Sequence, residues 1–219
     1  MKPHSSSPAT LPLRELKKQR TRKHIIDIAA ALFHERGFEA VTVAEIAQAA
    51  EVGEQTVYNY FTTKEGLVFD EADAFVNRVS SMILEAPQDQ PLMAAIRAEA
   101  LAFLASMSGR SPNPSQKGGM PYLIVTNAVV RKGWLALIEQ FSEAAADALG
   151  ARTRGKIPPA AASVIGKAIV SVFAVIVDQV GCAIRDKADV DQVVVALRPQ
   201  IEMALSFLEN GLGSGEAAP

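Results

Sequence analysis

Residues 42–69, TVAEIAQAAEVGEQTVYNYFTTKEGLVF, read as two short helices joined by a tight turn, the second polar and rich in aromatics. Thr42 and Glu45 form a T-x-x-E capping box: the hydroxyl satisfies one orphan amide and the carboxylate reaches back to another, so a helix begins at Val43. Val43, Ile46, Ala47 and Ala50 follow the i, i+3, i+4, i+7 spacing of one face and form its inward stripe. Glu51, Val52 and Gly53 then supply a turn short enough to swing the next helix across the first, with Gly53 as its cap. On that second helix, at about 100° per residue, Val57 and Phe61 share one narrow arc while Gln55, Thr56, Tyr58, Asn59 and Tyr60 occupy the opposite side. Two side chains hold the helix down and five face outward.

The outward set carries little charge, several hydrogen-bonding groups, and aromatic bodies able to lie against thymine methyls or sugars, so such a helix can enter a major groove. A helical hairpin with exposed Tyr and Asn needs no functional explanation by itself. The segment just upstream adds one: Arg14, Lys17, Lys18, Arg20, Arg22 and Lys23 stand against a single acid, Glu15. The chain as a whole has a net charge of −2 and a pI near 6.0, which excludes a general basic coat and leaves a local cationic strip. Lys and Arg in that strip displace counterions from phosphates, giving affinity without sequence information.

The basic segment, a first helix ending ALFHERGFEAVTV, and VGEQTVYNYFTTKEGLV together resemble the DNA-binding domain of tetracycline-repressor (TetR) family transcriptional regulators, over about residues 18–70. The elements fall in order: Phe-x-x-x-Gly-Phe, Thr-Val, then Thr-Val-Tyr-x-Tyr-Phe with Lys64 three residues later. The resemblance implies that Gln55 and Tyr58 meet base edges, that Thr56, Asn59, Tyr60 and Lys64 grip phosphates, and that Thr42 adds a backbone contact. Three departures mean that no operator sequence is inherited: Gly53 replaces the usual hydroxyl cap, Glu54 brings a negative charge to the first turn, and Ala44 offers no long side chain. Glu54 has a simpler role, since a carboxylate in the first turn is favourable against the helix dipole by about 0.3–1 kcal/mol.

The first helix shows its own stripe, Ile25, Ile28, Ala29, Leu32 and Phe33, and Gly37 supplies the left-handed residue at which it stops. His24 and His34 are too far apart around the helix to share a metal, and no metal or cofactor site is expected. Downstream the pattern stays helical: a fourth helix over 64–85 with Val68, Ala72, Phe75, Val79 and Met82 inward, a fifth over 91–107, a breaker-rich loop, two helices within 120–149 broken near Lys132 and Gly133, then helices over 158–186 and 189–210. The fold expected is all-α: a flexible basic arm (1–17), a three-helix DNA-binding domain (18–63), a larger helical effector-binding and dimerisation domain (64–210), and a flexible tail (211–219).

Residues 168–177, AIVSVFAVIV, are apolar nearly all the way round, and such a helix must be buried on every side. One face can meet the chain's own core and the rest calls for another molecule. This predicts a two-fold homodimer built from the last two helices through Val170, Phe173, Val177, Leu197, Ile201 and Leu205, and a dimer also suits a palindromic operator. The family resemblance implies the same pair as a four-helix interface. Phe103, Met107, Tyr122, Asn127, Trp134, Asp178 and Cys182 are the expected lining of an effector cavity for a largely apolar small molecule, although any one aromatic is more ordinarily core. Asp178, directly after the apolar run, requires a partner wherever it is buried.

No window reaches the roughly 18 uncharged apolar residues of a bilayer span. The N-terminus lacks a signal peptide's apolar run, and Cys182 is the sole cysteine, so a soluble, cytoplasmic protein is expected with Cys182 as a structural thiol. Glycine-rich phosphate loops, nucleophile elbows and metal-spaced clusters are missing from the sequence, which argues against an enzyme. The function expected is a ligand-responsive repressor that binds double-stranded DNA as a dimer and is released by a small-molecule effector. Alternatives are an activator or an effector-independent architectural DNA-binding protein on the same fold, and, further off, a small-molecule carrier or an enzyme.

Overall fold

A computed structural model of the chain describes residues 13–70, 72–87, 89–108 and 119–210. Among these the protein is all-α. Three helices form the amino-terminal head: α1 (Leu13–Arg36), α2 (Val43–Ala49) and α3 (Glu54–Tyr60). Six form the body: α4 (Ala72–Glu85), α5 (Leu92–Ala105), α6 (Met120–Thr126), α7 (Ala128–Arg152), α8 (Pro159–Arg185) and α9 (Val190–Asn210). The tail at 211–219, most of the breaker-rich loop and the first twelve residues of the arm lie outside the described residues. The remainder of the expected arm, 13–17, is the first part of α1.

α1 ends where its sequence requires. Gly37 adopts φ +83° and its N–H closes on the Phe33 carbonyl at 2.9 Å, an αL cap that a β-carbon would strain. The capping box of α2 is present, with the Glu45 N–H donating to Thr42 Oγ1 and the Thr42 N–H to Glu45 Oε2. After α2 the left-handed residue is Glu51, at φ 55°, and the Val52 N–H reaches back to the Ala47 carbonyl at 3.0 Å. Gly53 caps α3 in ordinary extended backbone, so its freedom is not what the turn uses.

The fourth helix begins later than expected. Lys64 precedes a short 3-10 turn, Glu65–Leu67, that buries Leu67, and α4 starts only at Ala72. Of the stripe expected for it, Val79 is buried and Val68, Phe75 and Met82 are partly buried, while the Ala72 side chain lies outside the described residues.

The break between the sixth and seventh helices is at Asn127, not at Gly133. Asn127 is extended and its Oδ1 accepts from the N–H groups of Val129 and Val130, a strong amino-terminal cap for α7. Gly133 lies inside α7 because the Phe69 ring packs against it: a β-carbon there would stand 3.0 Å from Phe69 Cε2.

α8 is the central helix of the body and packs against α5, α6, α7 and α9. Two glycines let backbones approach: a β-carbon on Gly166 would stand 2.7 Å from the Ser142 carbonyl of α7, and one on Gly181 would collide with the Pro121 carbonyl of α6. By length and mean apolarity α8 would suffice to cross a membrane, but half of its apolar window is buried inside the protein. Lys167 and Asp178 interrupt it.

Candidate nucleic-acid interface

α3 is held by its two apolar pegs. Val57 and Phe61 are 1% and 4% exposed, packed into the head core that Ile25, Ala29, Phe33 and Ile46 share. Over those pegs Gln55, Tyr58 and Asn59 stand in solvent, with Tyr58 44% exposed, and Thr56 and Tyr60 are half-buried at the edges. Gln55 Nε2 donates to Asn59 Oδ1 at 3.2 Å, one helical turn away, so two groups with donors and acceptors are pre-set side by side. Such a pair can read a base edge by two parallel hydrogen bonds.

The other two nominated contacts have protein partners. Both donors of Thr42, its N–H and its hydroxyl, go to Glu45 Oε2 at 2.8 Å, and Arg36 donates to Glu45 Oε1 at 2.8 Å. These bonds from Thr42 and Arg36 hold the Glu45 carboxyl below the usual carboxylate range. The Lys64 ammonium donates to the carbonyls of Phe38 at 2.8 Å and Val41 at 3.0 Å and lies 4.3 Å from the centroid of the Phe38 ring. Lys64 therefore ties the end of α3 to the α1–α2 loop.

The basic strip divides in the same way. Arg14, Lys17, Lys18, Arg20 and Lys23 are exposed along the first turns of α1. Arg22 turns inward, pairs with Asp70, donates to the Tyr60 carbonyl and covers the Phe61 ring at 4.7 Å. The sequence carried no signal for this, since Arg22 and its exposed neighbours are chemically alike and only the register of α1 against α3 separates them.

Among the described residues, the segment that joins head and body is held from both sides, Asp70 by Arg22 of α1 and Phe69 against Gly133 and Trp134 of α7, and Asn127 Nδ2 donates to Glu39 Oε1 at 2.9 Å. Asn127, expected in the effector cavity, lies instead at this junction, facing the α1–α2 loop. The rest of the expected cavity set divides in two. Phe103 and Trp134 belong to one run of rings, Phe69–Trp134–Phe141–Phe75, that ends where Phe103 and Phe173 close on Phe75. Met107 is buried beside the same core. Tyr122 of α6, with Asp178 and Cys182 of α8, is only partly buried. Asp178 has the partner its chemistry demands, Arg131 of α7.

The six nominated dimer residues require correction. Val170, Phe173, Val177, Leu197, Ile201 and Leu205 are all no more than 6% exposed within the single chain, so they face its own core. A helix apolar on every side gives no sequence cue to which face its own chain covers. The apolar side chains that α8 and α9 leave in solvent are Val164, Ile165 and Val175, and Val195, Met203 and Leu208, with Val164 and Val195 about as open as any, at 68% and 73%. Among the described residues no group of His, Cys, Asp and Glu could hold a metal ion.

Residues 25–70 match the family model described as bacterial regulatory proteins, tetR family. The HTH-type transcriptional repressor KstR2 of Rhodococcus jostii is 45% identical over 51 residues, 23% of this chain and 25% of that protein. The mycofactocin-related regulator MftR of Mycobacterium tuberculosis is 29% identical over 87 residues, 40% of this chain and 44% of that one. The chain thus spans less than half the length of the curated relatives it matches. Fold similarity extends further: NalD of Pseudomonas aeruginosa, the secondary repressor of the MexAB-OprM multidrug efflux pump, superposes with a TM-score of 0.55 at 17% identity, over 85% of this chain and 97% of that one. Residues 25–70 thus carry the amino-terminal domain of the tetR family of bacterial regulatory proteins, and the fold of most of the chain is that of the solved NalD structure.

Proposed function

We propose that the protein is a ligand-responsive transcriptional repressor that binds a palindromic operator as a homodimer. The observation that carries this reading is the polar face of α3, with Gln55, Tyr58 and Asn59 exposed over two buried pegs inside the matched segment. Gln55 and Tyr58 meet base edges, and Thr56, Asn59, Tyr60 and the exposed cations of α1 meet phosphates. Thr42 and Lys64 act indirectly, by fixing α2 and the end of α3. The second copy covers Val164, Val175, Val195 and Met203, apolar surface that one chain leaves open on α8 and α9. Two-fold pairing there places two copies of α3 for successive major grooves on one side of the duplex.

Release follows from differential affinity of an effector for the two arrangements of head and body, since a ligand shifts an equilibrium only by that difference. Supporting this, the side-chain contacts that join head to body include Asn127 with Glu39, which is exposed. No enzymatic role is proposed. The test is fluorescence anisotropy on operator and unrelated duplexes. Gln55→Ala is expected to cut the preference for operator by about 1–3 kcal/mol, and Lys17→Ala to weaken both duplexes alike. Equal loss on both duplexes for Gln55→Ala contradicts the base-reading role.

A further inference from the structure

The indole Nε1 of Trp134 is buried with no hydrogen-bond partner among the described residues, in a side chain only 4% exposed. Buried indole N–H groups normally find an acceptor, because leaving one unmade forfeits its bond to water. The rings around it, Phe69 nearly parallel at 6.4 Å and Phe141 edge-on at 6.2 Å, offer carbon and no oxygen. One turn away Arg131 is already paired with Asp178, and Lys132, two residues before Trp134 and so on another side of α7, is exposed to solvent. A neutral acceptor at the indole edge would complete an existing donor without needing either cation.

We infer that Trp134 Nε1 is the polar determinant of the effector site, and that the effector is an uncharged, largely apolar molecule presenting one carbonyl-type oxygen to that N–H. The inference rests on the effector-responsive reading above and adds the chemistry of the ligand to it. It also names the group that responds. Phe69 stacks on Trp134 and rests on Gly133, and the next residue, Asp70, holds Arg22 of the head. A molecule seated at the indole edge displaces the Phe69 ring, and with it the Arg22–Asp70 link beneath α3.

The chain contains a single tryptophan, so its indole signal is unambiguous. Full-length protein carrying 15N-labelled tryptophan is titrated with acetophenone, its hydrocarbon isostere cumene, and benzoate. Acetophenone is expected to move the indole proton resonance downfield and to bind at least about tenfold tighter than cumene, as for one hydrogen bond to an otherwise unpaired buried donor. Benzoate is expected to bind more weakly than acetophenone. Trp134→Phe is expected to abolish the preference for acetophenone over cumene, read as the ratio of the two affinities in the variant. Where that variant fails to fold, the resonance shift and the ketone-to-hydrocarbon ratio of the natural protein decide the matter alone. Equal affinity for ketone and hydrocarbon, a preference that survives Trp134→Phe, tighter binding of benzoate, or no binding of any of the three overturns the inference. DNA binding by the unliganded protein is measured separately, so loss of the regulator reading and loss of this one are distinguishable.

Discussion

Replacing Lys64 by Ala separates a structural clamp from a phosphate contact. In the structure the ammonium serves two carbonyls of the α1–α2 loop, at 2.8 and 3.0 Å, and sits 4.3 Å from the Phe38 ring. Hydrogen bonds from a charged donor are worth about 1.5–3 kcal/mol each, and an accessible cation–ring contact about 0.5–1 kcal/mol. Lys64 is half-buried, so water recovers part of what the carbonyls lose. We predict that Lys64→Ala destabilises the protein by about 2–4 kcal/mol, read as a lowered urea midpoint at unchanged m-value. At a temperature where the variant remains folded, its salt dependence of DNA binding is predicted to match that of the parent. A stability change below about 0.5 kcal/mol, with a slope of log K against log salt reduced by about 0.9, is the signature of a lost phosphate contact and refutes the clamp.

Three further predictions concern separate parts of the molecule. The carboxyl of Glu45 is held below its ordinary range by Thr42 and Arg36, so its contribution to stability is present above the unfolded carboxylate value and is lost as pH falls through the lower folded value. Glu45→Gln is therefore less stable than the parent at neutral pH, and the gap closes on acidification below about pH 4 in pH-dependent thermal unfolding; a gap independent of pH contradicts this. Gly166→Ala forces a β-carbon to within 2.7 Å of the Ser142 carbonyl, backbone that cannot step aside, and is expected to lower stability by about 1–3 kcal/mol in urea unfolding. An unchanged midpoint would mean that α7 and α8 do not cross there. Val175→Glu alters a side chain 46% exposed on α8 and is expected to give folded monomer by light scattering with normal helicity, whereas a persistent dimer removes this face from the interface.

The head was legible in the sequence because its determinants are local. A capping box, an αL glycine at position 37 and two pegs four residues apart each act within one or two turns, and each is present in the structure. The body was legible only as a succession of helices. Gly133 reads as a breaker, yet its missing β-carbon serves the ring of Phe69, distant in sequence, while the true break falls at Asn127, whose side chain replaces the lost backbone bonds. Periodicity likewise marks Phe173 and Leu205 as apolar without saying that the chain's own core takes them. At the candidate site, the division of cations between solvent and Arg22's inward pairing depends on how α1 and α3 are registered, which no local pattern encodes.

The central claim, that α3 reads a two-fold DNA site, is tested most directly by selecting bound fragments from random or genomic DNA with the full-length protein and footprinting the enriched sequences. The account predicts an inverted repeat whose half-sites are protected on one face of the duplex about one helical turn apart, with enrichment lost in Gln55→Ala. Enrichment of no sequence, or of a motif without two-fold symmetry that Gln55→Ala still selects, would contradict it.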